Sequence, residues 1–369
     1  MFGGILISIV TLMHLHVFWR LGSVPLVARR VRRGVVAAAG LVLWLMFVSG
    51  RLYGHGGSGP MAVLLEVAGM NWMAVVFLCF ISLTAIELVT GFGWLMPRIA
   101  PSLRGGSLAI GVVLSLIGFV QGVRAPVWVR YEVGLAHLPP ELDGTVLVAL
   151  SDLHLGQPLL DRDWLARRVE QVRSERPDIV VLSGDVLEGH GHPANELLQT
   201  LGELGSGRPL GAWAVLGNHE WHGNPDRAAG YLTEAGFEVL RNRWVEVRPG
   251  LILAGVDDLT SLSRAGRDGQ AMPRALSGRP GGATILLSHT PWQAEQAASL
   301  GVGLMLSGHT HGGQVWPFGY LARLRYPLLA GRYEIDGMTT IVSRGTGVWG
   351  PRMRLWRPAE ILHLTLRRK

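Results

Sequence analysis

Cysteine is almost absent. Cys79 is the only one in 369 residues, which excludes an intrachain disulfide framework and any cysteine-built zinc module, and leaves the redox compartment open. Lysine is as scarce, with Lys369 alone among 34 basic residues, so arginine carries the basic excess. Charged residues make up 17% of the chain and hydrophobic ones 49%, against ~25% charged in an ordinary soluble domain. With a mean hydropathy of +0.30, this scarcity of charge excludes a disordered chain and argues against a wholly soluble one. Repeats of roughly 20–50 residues and low-complexity tracts are missing too, which excludes solenoids and propellers.

Acidic residues are missing where it matters most. Residues 1–123 hold Glu66 and Glu87 against eight arginines, a net of +6, while the remaining residues hold 26 basic and 25 acidic groups, a net of +1. The overall charge of +7 is therefore no basic groove, and a nucleic-acid partner is not expected. Four stretches of this first third carry no formal charge: 1–19, 34–50, 67–86 and 105–123. Each approaches the ~20 residues that cross a ~30 Å hydrocarbon core as helix. The first lacks a positively charged start, and its arginines follow the apolar run, so a cleaved signal is not expected. Five arginines between residues 20 and 33, and Arg98 with Arg104, mark the first and third loops as cytoplasmic. The rest of the chain is then expected on the extracytoplasmic face of the cell membrane. His14, His16, Asn71 and Glu87 are polar residues in or beside the apolar runs, and packing or interfacial roles are expected of them.

After Arg124 the texture changes. Pro126, Pro139-Pro140 and Asp143-Gly144 suggest a linker over 124–143 between a transmembrane domain at 1–123 and a second domain at 144–369. Buried strands are expected at 145–150, 179–182, 213–216, 284–287 and 304–306, and helices at 162–174, 195–204, 225–235 and 292–300. Later strands, at 251–254, 338–343 and 361–366, follow without intervening helices.

Each of the five buried strands ends in polar residues: Ser151-Asp152-Leu153-His154, Ser183-Gly184-Asp185, Gly217-Asn218-His219-Glu220, Ser288-His289 and Ser307-Gly308-His309-Thr310-His311. Ligands of open α/β sheets collect at the carboxyl ends of strands. In Asp-x-His and His-x-His, local extension would point both side chains to one side. Carboxylate, amide and imidazole donors without thiolate suit Mn, Fe or Zn. One such piece is only a polar loop; five in order specify a metal site.

The pattern Asp-x-His, Gly-Asp, Gly-Asn-His-Glu, His, Gly-His-x-His resembles the calcineurin-like metallophosphoesterase superfamily. Gly312-Gly313-Gln314 and Ser343-Arg344-Gly345 through Pro358-Ala359-Glu360 are similar to its bacterial membrane-attached branch with an N-terminal multispan segment. The resemblance implies a four-layer α-β-β-α sandwich behind an all-helical transmembrane domain. It implies two divalent ions, with Mn2+ favoured over Fe or Zn2+. One would be held by Asp152, His154, Asp185 and His311, the other by Asp185, Asn218, His289 and His309. His219 would contact the phosphate and protonate the leaving group, oriented by Glu220. Glu188 stands where the superfamily often has Asp.

The expected function is a membrane-tethered phosphoesterase acting on phosphodiester or pyrophosphate bonds of lipid or cell-envelope substrates. The alternative is a receptor or transporter-like protein whose appended domain binds phosphate without turnover. The tryptophans and arginines of 315–318 and 348–356 suit either an interfacial surface or core packing. His190, His192 and His222 lie beside motif blocks, within reach of a substrate. His137 and His363 are read as ordinary surface or strand residues.

Overall fold

A computed structural model describes residues 2–54, 57, 59–157, 160–188 and 193–369, apart from the side chains of Phe2 and Asp268. The chain forms two compact units. One comprises Met1–Val123 with Gly350–Trp356, the other Arg124–Trp349 with Arg357–Lys369.

The first unit is helical: α1 (Phe2–Leu21), a short α2 (Pro25–Arg30), α3 (Arg33–Ser49), α4 (Pro60–Val89) and α5 (Ala100–Gly122). Four of these are long and apolar enough to cross a membrane. Their outward leucines and valines are exposed, as expected of surface that meets lipid rather than water. The charge among them is concentrated on Glu87 of α4, 1% exposed. Its carboxylate accepts from Arg104 Nε (2.8 Å) on α5 and from Arg20 Nη2 (3.2 Å) on α1, tying three helices together. Asn71 is equally accounted for: its Oδ1 accepts from the backbone N–H of Arg352 (2.9 Å). Arg354 N donates to the Gly118 carbonyl and Trp356 N to Gln121 Oε1 (2.9 and 2.8 Å). The segment Gly350–Trp356 thus lies along α4 and α5. It needs Gly122, where an added Cβ would come within 2.4 Å of the Arg352 carbonyl oxygen. The tryptophan- and arginine-rich 350–356 stretch is therefore part of the helical unit.

The second unit runs β1 (Val127–Leu135), β2 (Val146–Leu150), α6 (Arg162–Arg173), β3 (Ile179–Ser183), α7 (Asn195–Gly205), β4 (Ala212–Val215), α8 (Asn218–His222), α9 (Pro225–Glu234), β5 (Glu238–Val239), β6 (Arg243–Arg248), β7 (Leu251–Gly255), α10 (Leu259–Arg264), α11 (Ala271–Leu276), β8 (Ala283–Leu287), α12 (Ala294–Ser299), β9 (Leu304–Ser307), α13 (Phe318–Ala322), β10 (Gly331–Ile335), β11 (Met338–Val342) and β12 (Glu360–Arg368). Two six-stranded sheets form, ordered β1-β12-β2-β3-β4-β5 and β10-β11-β9-β8-β7-β6. Both are mixed: β2, β3 and β4 are parallel neighbours, as are β7, β8, β9 and β11, while β12 is antiparallel to β2 and β6 to β7. Leu147, Val181, Leu253, Ile285 and Leu306 meet in the core between the sheets. Helices α6, α7 and α9 cover one outer face, and α10 to α12 the other. This is the expected four-layer sandwich. Caps set the helix starts: Asp161 accepts from Trp164 N before α6, and Asn224 from Asp226 N and Arg227 N before α9.

One expectation fails. The stretch read as a linker, 124–143, contains β1, which pairs in parallel with β12 along nine residues. Its alternation (Val127, Val129, Tyr131, Val133, Leu135) is a strand signal with one face half-buried, and the flanking prolines conceal it.

The Glu87 knot sets a testable limit. Glu87→Gln removes the counter-charge of two buried guanidinium groups and should cost about 3–5 kcal/mol. Thermal unfolding in detergent micelles should show a clearly lower midpoint; an unchanged midpoint would mean the three charges are solvated.

Candidate metal centre

The carboxyl ends of β2, β3, β4, β8 and β9 deliver the motif residues to one buried cluster. Three groups of side chains have ligand atoms within 4.8 Å of one another: Asp152, His154 and His311; His154, Asp185 and His219; Asp185, His289 and His309. His154 links the first pair of groups and Asp185 the second. Asn218 joins them through Oδ1, 2.7 Å from His309 Nδ1. All seven expected ligands and His219 therefore meet.

The backbone does not deliver them by extension. Asp152, His154, Asp185, His309 and His311 all have positive φ, between 49° and 72°. Such conformations cost of order 1–3 kcal/mol each and persist where the surroundings over-determine them. They turn the chain sharply at each strand end, so that Asp152 and His154 share one group while His309 and His311 serve two. Gly217 permits a close approach: a Cβ there would lie 2.2 Å from Asp185 Oδ1.

Hydrogen bonds fix which imidazole atoms face inward. His289 Nδ1 donates to the Ser183 carbonyl (2.8 Å), so Nε2 is the atom that faces the cluster. That buried atom stands 3.2 Å from Asp185 Oδ2, whose charge outweighs burial and holds the imidazole well above its ordinary range. Glu188 takes the Nδ1 protons of His154 (2.8 Å) and His219 (2.9 Å), aiming both Nε2 atoms at Asp185. His154 Nε2 and His311 Nε2 lie 3.1 Å apart, His311 Nε2 and Asp152 Oδ1 3.5 Å. Buried imidazole nitrogens and carboxylate oxygens converging this closely fit divalent cations.

The electrostatics agree. Burial pushes Asp185 and Glu188 up, but the neighbouring histidines hold both well below the ordinary carboxylate range. Burial lowers His219, yet Asp185 and Glu188 overcome it and raise the imidazole to about 9. His309, buried beside His289, falls to about 4 and is neutral at pH 7.

A family model for calcineurin-like phosphoesterases matches residues 145–313. An uncharacterised metallophosphoesterase of Aquifex aeolicus is 36% identical over 249 residues, 65% of this chain and 91% of the relative. The chain belongs to the calcineurin-like metallophosphoesterase family. A Helicobacter pylori metallophosphoesterase is 33% identical over 305 residues, 79% of this chain and 80% of the other. A transmembrane protein with metallophosphoesterase domain from Danio rerio is 35% identical over 274 residues, 71% of this chain and 62% of the fish protein. The chain spans about three fifths of that vertebrate relative's length.

Within this metallophosphoesterase, one residue sits otherwise than expected. Glu220 does not orient His219. Its carboxylate is turned into the backbone and accepts from the N–H groups of Gly217 (2.7 Å), Asp185 (3.1 Å), Val186 (2.7 Å) and Leu187 (2.8 Å). Four buried amides outcompete one ring nitrogen, and Glu188 takes the ring instead.

Three further residues support the cluster without an obvious motif. Tyr326 Oη lies 2.8 Å from His309 Nε2. Asp258 accepts from Thr290 Oγ1 (2.6 Å) behind His289; as an acid just past β7, it carried the strand-end signal. Trp349 packs edge-on to His219, centroids 5.9 Å apart, held by two-way bonding with Gln314. The His222 ring stands 5.0 Å from that of His219, whereas His190 and His192 lie outside the described residues. His363 approaches Glu175 at 3.5 Å, far from the cluster in sequence and sheet.

Glu220→Gln places an NH2 donor against backbone donors and should cost ~2–3 kcal/mol. For a domain of this size that is roughly 5–10 °C in melting temperature. Calorimetry of the metal-free variant checks it; an unshifted melt would mean the amides find other acceptors.

Proposed function

We propose that this metallophosphoesterase is a membrane-tethered, dinuclear-metal hydrolase of phosphodiester or pyrophosphate bonds. The convergence of three buried His/Asp groups that share His154 and Asp185, with Asn218 beside His309, carries the reading. Asp152, His154, Asp185 and His311 would hold one ion; Asp185, Asn218, His289 and His309 the other, with Asp185 shared. Two divalent ions, Mn2+ favoured, would polarise the phosphoryl oxygens and supply the nucleophile from water near neutral pH.

The protein's own groups do the rest. Glu188 keeps the His219 ring oriented and favours its protonated form, so at pH 7 Nε2 carries a proton for the departing oxygen. Glu220 acts earlier, by fixing the loops that carry Asp185 and His219. His309, neutral at pH 7, has a nitrogen ready for coordination. Lipid or cell-envelope phosphates are the proposed substrates, because four apolar helices would keep the site close to a bilayer.

Asp185→Asn should lose activity together with most bound metal, since an amide brings no charge to either ion. His219→Asn should retain metal and slow turnover ~10²–10⁴-fold. That loss should shrink for substrates with weakly basic leaving groups. Metal analysis and rates on good and poor leaving groups decide it: loss of metal in His219→Asn, or equal slowing of both substrates, removes the general-acid role. Intact metal with no turnover of any phosphate ester would favour a phosphate-binding receptor.

The arginine distribution supports an extracytoplasmic phosphoesterase domain at the cell membrane. Cys79 is buried, so the native chain gives a silent background. Gly144→Cys should react with an impermeant thiol reagent in intact cells and Arg30→Cys should not; the reverse pattern would place catalysis in the cytoplasm.

A further inference from the structure

The helical unit contains a cavity of about 580 Å3 between α1 and α3, within the roughly 300–1,000 Å3 of small-ligand sites. Leu15, Phe18, Val36, Ala37, Leu41 and Trp44 supply apolar walls, and Arg33 stands at one end. From Arg33 to Trp44, α3 advances ~16 Å at ~1.5 Å per residue, about half of a ~30 Å hydrocarbon core. Polar pairs line the half toward Trp44. Trp44 Nε1 donates to Thr11 Oγ1 at 2.9 Å, and His14 Nε2 bonds to the Gly40 carbonyl at 2.9 Å.

The lined stretch thus has about the length of one leaflet and a cationic rim at its Arg33 end. Between residues 21 and 33 the sequence has Arg29, Arg30, Arg32 and Arg33 and no carboxylate. Arg33 is exposed, and the neighbouring Arg20 is committed to Glu87. At the same end Trp19, 66% exposed, offers the amphipathic ring favoured at a headgroup boundary. An apolar slot the depth of one leaflet fits a hydrocarbon chain. A guanidinium at its mouth, among others of like charge, fits a phosphate.

We propose that this crevice binds an anionic glycerophospholipid, one acyl chain between α1 and α3 and the headgroup phosphate on Arg33. The proposal rests on the membrane placement of the helices, and not on the phosphoesterase site.

The test uses the full chain in mild detergent. It is exchanged with equimolar phosphatidylglycerol and phosphatidylcholine of identical chains, washed, and assayed for retained lipid by mass spectrometry. Wild type should retain phosphatidylglycerol about fivefold over phosphatidylcholine, the size of one arginine contact at an anionic surface. Arg33→Gln should erase most of that preference. Ala37→Trp, at an exposed position that lines the slot, should lower retention of both lipids. Millimolar inorganic phosphate should not displace the lipid. Equal retention of the two lipids, displacement by phosphate, or an Ala37→Trp variant that binds like wild type would each overturn the crevice. A chain that stays in solution without detergent would overturn the membrane placement and the crevice together.

Discussion

Asp185 is the residue on which the metal centre depends. Its carboxylate is 2% exposed, and burying such a charge costs several kcal/mol unless partners compensate it. The imidazoles of His289, His219 and His154 compensate it, while one short segment, Gly217 to Glu220, fixes both ends of the residue. The His219 N–H donates to Asp185 Oδ1 (2.8 Å), while Glu220 binds the Asp185 N–H from the other side. The loops after β3 and β4 are therefore locked as one piece, and the same contacts place His219 beside Asp185. Glu188, three residues on, extends the lock to His154 and thereby to the loop after β2. The remaining Asp185 oxygen is left to the imidazoles.

Much of this was legible because metal chemistry uses few residue types, and each block sits next to its strand. A run such as Ile179–Ser183 followed by Gly184-Asp185 shows both the strand and the residue it presents. The apolar helices were legible for a similar reason: a missing charge is visible without knowledge of what packs on it. Contacts between distant parts of the chain were not legible. Nothing near Asn71 shows that its amide meets a backbone N–H 281 residues away. Nothing in Gly-Asn-His-Glu shows that the glutamate turns to the backbone while Glu188 takes the histidine. Tyr326 lies in a stretch with no motif at all.

Backbone conformation was the other blind spot. Alternation in Asp-x-His suggests an extended segment, yet both residues are left-handed, as are Asp185, His309 and His311. Local sequence favours the cheaper conformation. Tertiary contacts impose the dearer one because only a sharp reversal aims several donors at a small volume. The fold meets that expense from its two-sheet core.

The chain leaves the sandwich after Trp349, contributes Gly350–Trp356 to the helical unit, and returns to form β12. Strand β12 is no appendage; it lies between β1 and β2. The two units are thus interleaved in the gene. A single cut at the last helix yields a sandwich carrying a strip with Met353, Leu355 and Trp356 whose helical partners are gone. Exchange of the membrane portion between relatives would then require two crossovers, one before β1 and one around the strip, so the helices and that strip are bound to be inherited together.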